Sequence, residues 1–209
     1  EKIWLSPENT TMATYNAITM NLPTPTEKFI HLEDSYIEKM KAIKNSTEIS
    51  GFRACNVRDG AAVSKFFAWL ENELVVKKNT SITEVDASKR LQQFRNEQDL
   101  YVSDSFAAIV GYGPNAAIVH YHPEQETCAT IGTDSILLVD SGGQYMDGTT
   151  DTTRTVHFGT PTQEEKDSFT RVLKGHINLD DFVFPDGALS GFQLDIIARQ
   201  FLWRVGLDY

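Results

Sequence analysis

The spacing of apolar residues changes period twice along this chain, and that change restricts the fold more than any other feature. Between residues 45 and 96 they recur at helical intervals. Val63, Phe66, Phe67, Leu70 and Leu74 form one stripe, and Ala87, Leu91 and Phe94 a second, as amphipathic helices require. Asn45-Ser46-Thr47-Glu48 offers capping residues for the first helix, and Thr83 with Asp86 opens the second. Gly60 weakens the middle of the first helix without stopping it. The period then shortens. Phe106 to Tyr112, Ala116 to Tyr121, Ile136 to Val139 and Thr152 to Phe158 are short apolar or β-branched runs, read as strands. Helical spacing returns after Pro161, where Thr162 and Glu165 form a capping box ahead of Phe169, Val172, Leu173, His176 and Ile177. A last helix carries Leu194, Ile197, Phe201, Leu202 and Val205 and ends at Gly206. Trp4 to Pro25 reads as a strand, a short helix and a loop, and a boundary is expected near residues 30 to 37. Helices, an antiparallel sheet and then helices predict an α+β fold rather than alternating βαβ units.

At 209 residues the chain suits one domain, or one domain with a remnant of another. Hydrophobic residues make up 41% and charged residues 23%, the balance of a globular protein. No run approaches the roughly 18 apolar residues of a membrane span. Glu1-Lys2-Ile3-Trp4-Leu5 has neither an initiating Met nor a signal-peptide pattern, so the start reads as the middle of a longer chain. A net charge of −10 argues against a non-specific nucleic-acid binder and is compatible with cation binding. Most of the 29 carboxylates are nevertheless expected to be solvated surface. Cys55 and Cys128 lie far apart and form no metal-ligand spacing, which fits a reduced, cytoplasmic protein.

The densest chemical signal runs from Leu138 to Arg154. Asp140 ends an apolar strand, where an ionised carboxylate needs a partner or a metal. Asp147-Gly148 signals a turn, so the chain folds back as a hairpin that carries Asp151 on the returning strand. Parity puts Asp140 and Asp151 on one face. A turn centred on Asp147-Gly148 would pair Asp140 with Thr155, leaving the aspartates offset by roughly 13 Å. Two metals sit only about 3.5–4 Å apart, so a shared site demands a bulge, expected at Gly148 to Thr150. Two carboxylates suit a hard divalent cation; turn aspartates that cap loop amides are the structural alternative.

In Ala116-Ala117-Ile118-Val119-His120-Tyr121-His122, His120 is expected on a strand with His122 on the same face. A neutral imidazole there could bind metal, donate to a substrate carbonyl, or satisfy a buried backbone group. His176 reads as structural, and His31 and His157 carry no pattern.

These segments together resemble the pita-bread metallopeptidases, specifically the cytosolic type of Xaa-Pro aminopeptidase. The resemblance runs through Gly113-Pro114-Asn115-Ala116-Ala117-Ile118-Val119-His120-Tyr121 and Val139-Asp140-Ser141-Gly142-Gly143-Gln144-Tyr145. It continues in Asp147 to Thr155, His157-Phe158-Gly159-Thr160-Pro161-Thr162 and Val172-Leu173-Lys174-Gly175-His176. It extends over most of residues 37 to 209, while residues 1 to about 32 resemble the end of a preceding creatinase-like domain. The domains expected are therefore 1–32, a remnant of that domain, and 33–209, the N-terminal part of a pita-bread catalytic domain.

The resemblance implies two divalent ions, usually manganese, held by two Asp, one His and two Glu. Asp140 and Asp151 match the two Asp, with Asp151 bridging. His120 matches the histidine that contacts substrate, and Thr153 and Arg154 are candidates to support the ligands. The reaction implied is hydrolysis of the bond before a proline in the second position, by a homodimeric enzyme. The family's metal-binding His lies in an HGxGHG-like motif that this sequence lacks, and its two Glu follow later. Three of five ligands thus have no matching position, and the 209 residues alone are expected to be inactive without the C-terminal half of the catalytic domain. A non-catalytic pita-bread-like module that binds peptides or proteins is the alternative of another class. Methionine aminopeptidase and prolidase are nearer rivals, and the Gly142-Gly143-Gln144-Tyr145 context favours the Xaa-Pro aminopeptidase.

Overall fold

The structure, a computed structural model, describes residues 2–32, 35–185 and 187–209, without the side chains of Glu27 and Leu32. The chain divides into two compact units, Glu1–Gly51 and Phe52–Tyr209. The boundary expected between residues 32 and 33 abuts Glu33 and Asp34, which lie outside the described residues.

In the first unit, β1 (Ile3–Leu5) pairs in parallel with β2 (Ile30–Leu32), Ile3 opposite Ile30. Between them lies α1 (Met12–Thr19), whose first turn is capped by Thr11 Oγ1 accepting from Thr14 N. Ser35 caps α2 (Tyr36–Ala42) in the same way, accepting from Glu38 N. A strand, a short helix and a loop are thus the opening elements, as the sequence reads.

The second unit is built on the two helical stripes. α3 (Ser46–Glu71), whose residues from Phe52 on belong to this unit, starts at Asn45, whose side chain accepts from the amides of Thr47 and Glu48. It ends in a π-helical turn over Asn72–Val76. Thr83 and Asp86 close a capping box on α4 (Glu84–Asn96). Phe66, Leu70 and Leu74 from the first stripe meet Ala87, Leu91 and Phe94 from the second in one buried cluster. Val110, Leu137 and Val139 complete it from the sheet side. The aromatic residues of both stripes are therefore core.

Two antiparallel sheets cover these helices. One runs β4 (Ile109–Tyr112), β5 (Ile136–Ser141), β8 (Thr152–His157), with β5 central. The other is small: β3 (Tyr101–Asp104), β6 (Gly143–Tyr145) and β7 (Gly148–Thr149). Ala116 to Tyr121 is not a strand. Gly113–Ala117 forms a 3-10 turn, and His120 follows in the left-handed region at φ 56°. After β8, the capping box of Thr162 and Glu165 opens α5 (Gln163–Asp180), and Ser190 with Gln193 opens α6 (Gly191–Trp203). These two helices touch at Gly175, where any Cβ would lie 1.9 Å from the Ala198 carbonyl oxygen. The chain stops turning at Gly206, whose φ of 73° lets Leu207 N reach Leu202 O. Phe169, Val172, Leu173 and Ile177 on α5 are largely exposed, and so is His176. Among the described residues, no helix is long and apolar enough to cross a membrane.

The capping carboxylates have a pH consequence. Hydrogen bonds from the Thr83 hydroxyl and amide hold Asp86 below its ordinary value, and those from the Thr162 amide and hydroxyl do the same for Glu165. A lowered folded-state pKa contributes stability above the unfolded value, and this is lost as pH falls through the folded value. Amide exchange should therefore speed up in the first turns of α4 and α5 on acidification below the ordinary carboxylate range. Exchange there that does not respond to pH beyond its intrinsic chemistry would contradict these caps.

Candidate functional site

The hairpin that carries the two aspartates has one register throughout. Asp140 lies opposite Thr153 and Ser141 opposite Thr152, while Gln144 pairs with Thr149 and Tyr145 with Gly148. Each pair of numbers sums to the same value, so no residue is inserted and the expected bulge at Gly148 to Thr150 is absent. The turn is instead centred on Met146-Asp147. Asp151 then falls diagonally across from Asp140, two positions off rather than four, about 7–8 Å in a regular antiparallel pair.

The ladder does open between the two pairings. Thr150 N donates to Gly143 O, but Gly143 N is taken by the Thr150 hydroxyl, and the Thr150 carbonyl accepts from Ser105 Oγ. This crossing leaves no room for a side chain at Gly142, where a Cβ would stand 1.9 Å from Thr150 O. Asp151 leaves the crossing exposed, just ahead of β8.

Asp140 occupies the sheet face opposite the buried Leu137 and Val139. That face also carries Leu138, Thr153, Thr155 and His157 by register. The Oδ1 of Asp140 is buried and has no hydrogen-bond partner. Among the described residues, the other such side-chain atoms are the Nε of Arg58 and Arg90, both of whose guanidinium groups lie over aromatic rings. Asp140 Oδ1 is thus the one buried side-chain acceptor among the described residues without a hydrogen-bond partner.

What fixes Asp140 is its neighbour. Ser141 Oγ accepts from Arg95 Nη2 (3.1 Å), and Arg95 forms a bidentate pair with Asp59 at 2.8 and 3.1 Å. Asp59, Arg95 and Ser141 are at most 2% exposed. Tyr145 donates its hydroxyl to Asp59 Oδ1 (3.0 Å), and burial followed by the Asp59 charge drives its pKa well up. The turn is pinned separately: Asp147 Oδ1 accepts from Arg58 Nη2 at 2.5 Å, and Arg58 lies over the Tyr145 ring. Gln144 holds the hairpin together, accepting from Thr149 Oγ1. Neither Asp59 nor Arg95 stands out in the sequence. Their pairing across 36 residues carries no local signal.

Thr153 shares the face of Asp140, whereas Arg154, opposite Val139, points to the other face and donates to the Thr153 carbonyl. Neither Thr153 nor Arg154 has a hydrogen bond to Asp140 or Asp151. His120 and His122 are both exposed and lie on a loop, so the expected common strand face does not form. His157, unflagged in the sequence, is a largely buried member of the Asp140 face whose Nδ1 accepts from Gly159 N.

The donor set fits a divalent cation in part. Asp140 presents a buried lone pair with no protein donor to fill it, as a hard cation prefers, and Asp151 stands exposed just ahead of β8. Among the described residues, no three His, Cys, Asp or Glu side chains group closely enough to hold a metal by themselves.

Residues 50–209 match metallopeptidase family M24, and the chain belongs to that family. It is 57% identical over 181 residues to a probable Xaa-Pro aminopeptidase P of Aspergillus clavatus, covering 86% of this chain and 27% of that protein. A probable Xaa-Pro aminopeptidase P of Talaromyces marneffei matches at 57% over 183 residues, covering 88% and 28%. The chain therefore spans little more than a quarter of these relatives. Its fold superposes on the crystal structure of X-prolyl aminopeptidase from Caenorhabditis elegans, described as a cytosolic enzyme with a di-nuclear active site. That match has a TM-score of 0.83 at 38% identity over 100% of this chain and 32% of that one. A Xaa-Pro dipeptidase from Bacillus anthracis shares the fold at TM-score 0.77 and 21% identity, over 99% and 53%. The architecture is the first part of the α+β pita-bread fold.

Cutting the buried pair should be costly. Arg95→Met leaves the Asp59 carboxylate uncompensated and should destabilise by about 3–5 kcal/mol in chemical denaturation. Asp59→Leu combined with Arg95→Met should recover much of that loss. A single variant within about 0.5 kcal/mol of the parent would show that Asp59 is not sealed by Arg95.

Proposed function

We propose that this chain is the first part of the catalytic domain of a two-metal aminopeptidase that removes the residue preceding an N-terminal Xaa-Pro bond. Residues 33–209 belong to that domain and residues 1–32 to the end of a creatinase-like domain before it. Membership of family M24, 57% identity to proteins called probable Xaa-Pro aminopeptidase P, and a 38%-identical fold with a di-nuclear active site support this. The observation that carries it is the buried, unpartnered Oδ1 of Asp140, whose strand partner Thr153 lies two residues after Asp151.

Asp140 and Asp151 would hold divalent ions, with manganese the ion proposed. Such ions supply polarisation of the scissile carbonyl and a strong oxygen nucleophile at neutral pH. Asp140 contributes a carboxylate fixed through Ser141 and Arg95, and Asp151 an exposed one able to face both ions. Thr153 flanks Asp140 on the same face and Arg154 fixes the Thr153 carbonyl. His120, carried on an exposed loop, would contact the substrate. The remaining His and Glu ligands and much of the proline pocket come from sequence beyond Tyr209, so the 209 residues alone should not hydrolyse peptides. The full enzyme is proposed to be a cytoplasmic homodimer that acts on peptides with proline second. The C. elegans enzyme's description as cytosolic supports that location.

In the full-length enzyme, Asp140→Asn and Asp151→Asn should each abolish manganese-dependent cleavage of an Xaa-Pro peptide. His120→Ala should lower kcat by roughly 100-fold or more while bound manganese stays near the parent level. Activity retained in either Asn variant with normal metal content would refute the assignment. Loss of metal in His120→Ala would make that residue a ligand instead.

A further inference from the structure

We propose that Glu84 is a positioning residue for His120, acting through Tyr121 and Asn115; this rests on the substrate-contacting role proposed above for His120. Glu84 is the first helical residue of α4 and is fully buried. A carboxylate there is expensive unless every lone pair is used. Four neutral donors use them: Tyr112 N at 2.6 Å, Tyr121 Oη at 2.7 Å, Ala129 N at 2.9 Å, and Asn115 Nδ2 at 3.1 Å to both oxygens. Asn115 Nδ2 also reaches Tyr121 Oη at 3.0 Å.

The placement of these donors is informative. Tyr112 ends β4, Asn115 sits in the 3-10 turn, Tyr121 lies mid-loop and Ala129 at its exit. One carboxylate thus ties the start, middle and end of residues 112–129 to one point on α4. The Glu84 amide adds a bond to the Ala129 carbonyl at 3.0 Å. Helix capping does not account for the arrangement, because Thr83 and Asp86 already cap α4. The segment has little regular structure of its own beyond Gly113–Ala117. His120, exposed within it, sits at φ 56°, a conformation that a non-glycine residue keeps only when its neighbours impose it. The neighbour that does so is Tyr121, anchored at its hydroxyl. Burial and the bond to Glu84 push the Tyr121 phenol up to about 12, so it remains a donor throughout the neutral range.

The test uses the full-length enzyme with Tyr121→Phe, Glu84→Gln, His120→Ala and the Tyr121→Phe/His120→Ala pair. Kinetics on an Xaa-Pro peptide, manganese content and amide exchange by mass spectrometry are read on each. Tyr121→Phe should lower kcat about ten-fold with KM and manganese unchanged, the scale of one hydrogen bond to a charged group. Exchange should rise across 113–129 while the cores of α4 and β5 stay protected. Glu84→Gln should do the same more strongly; if it fails to fold, Tyr121→Phe carries the test. In the His120→Ala background, Tyr121→Phe should cost less than about two-fold, since the group it positions is gone. The same ten-fold loss in that background would overturn the proposal, as would unchanged exchange in Tyr121→Phe. If His120→Ala leaves kcat intact, the role of His120 fails and the positioning proposal with it. The exchange data would then show separately whether the Glu84 clamp exists.

Discussion

A bidentate ion pair between Asp59 on α3 and Arg95 on α4, closed off from solvent, sets where the sheet can end. The guanidinium nitrogen that meets Asp59 Oδ2 also donates to Ser141, and the Asp59 Oδ1 that accepts from Arg95 Nε also accepts from Tyr145. Those two residues bracket the Gly142-Gly143 crossing, so the pair grips the chain where β5 gives way to β6. A buried pair of this kind adds little net stability, because desolvation offsets much of the attraction. Its contribution is register: only one alignment of β5 brings Ser141 to Arg95, and that alignment puts Asp140 on the opposite face.

The protein treats its buried carboxylates unequally, and the contrast bears on function. Asp59 receives a guanidinium and a phenol, and Glu84 receives four neutral donors. Among the described residues, Asp140 alone keeps a carboxylate oxygen that is buried and unpartnered. Under the proposed function, that open acceptor is where a divalent ion would bind, with Asp151 two register positions from the Thr153 that faces Asp140.

Much of the scaffold was legible because local signals agreed with tertiary packing. The stripe of Phe66, Leu70 and Leu74, the capping boxes at Thr83 and Thr162, and the stop at Gly206 all rest on contacts within a few residues. The errors arose where a distant partner decided the outcome. Asp147-Gly148 reads as a hairpin turn, but Gly148 is needed for another reason: a Cβ there would meet Cys55 Sγ at 2.6 Å and the Phe52 Cα at 3.1 Å. The turn therefore sits one residue earlier, which draws the aspartates together without a bulge. Ala116 to Tyr121 has the composition of a strand, yet Glu84 captures Asn115 and Tyr121 and holds the segment as a loop. Asp140 and Asp151 were visible as candidates, while Asp59, Arg95 and Glu84 become visible only once the helices meet the sheet.

The most direct measurement is a crystal structure of the manganese-loaded full-length enzyme with anomalous scattering recorded at the metal. The account predicts anomalous peaks within about 2.0–2.4 Å of Asp140 Oδ1 and of Asp151, on the face shared with Thr153. Metal lodged elsewhere, or Asp140 Oδ1 paired with a protein donor while the enzyme is active, would contradict it.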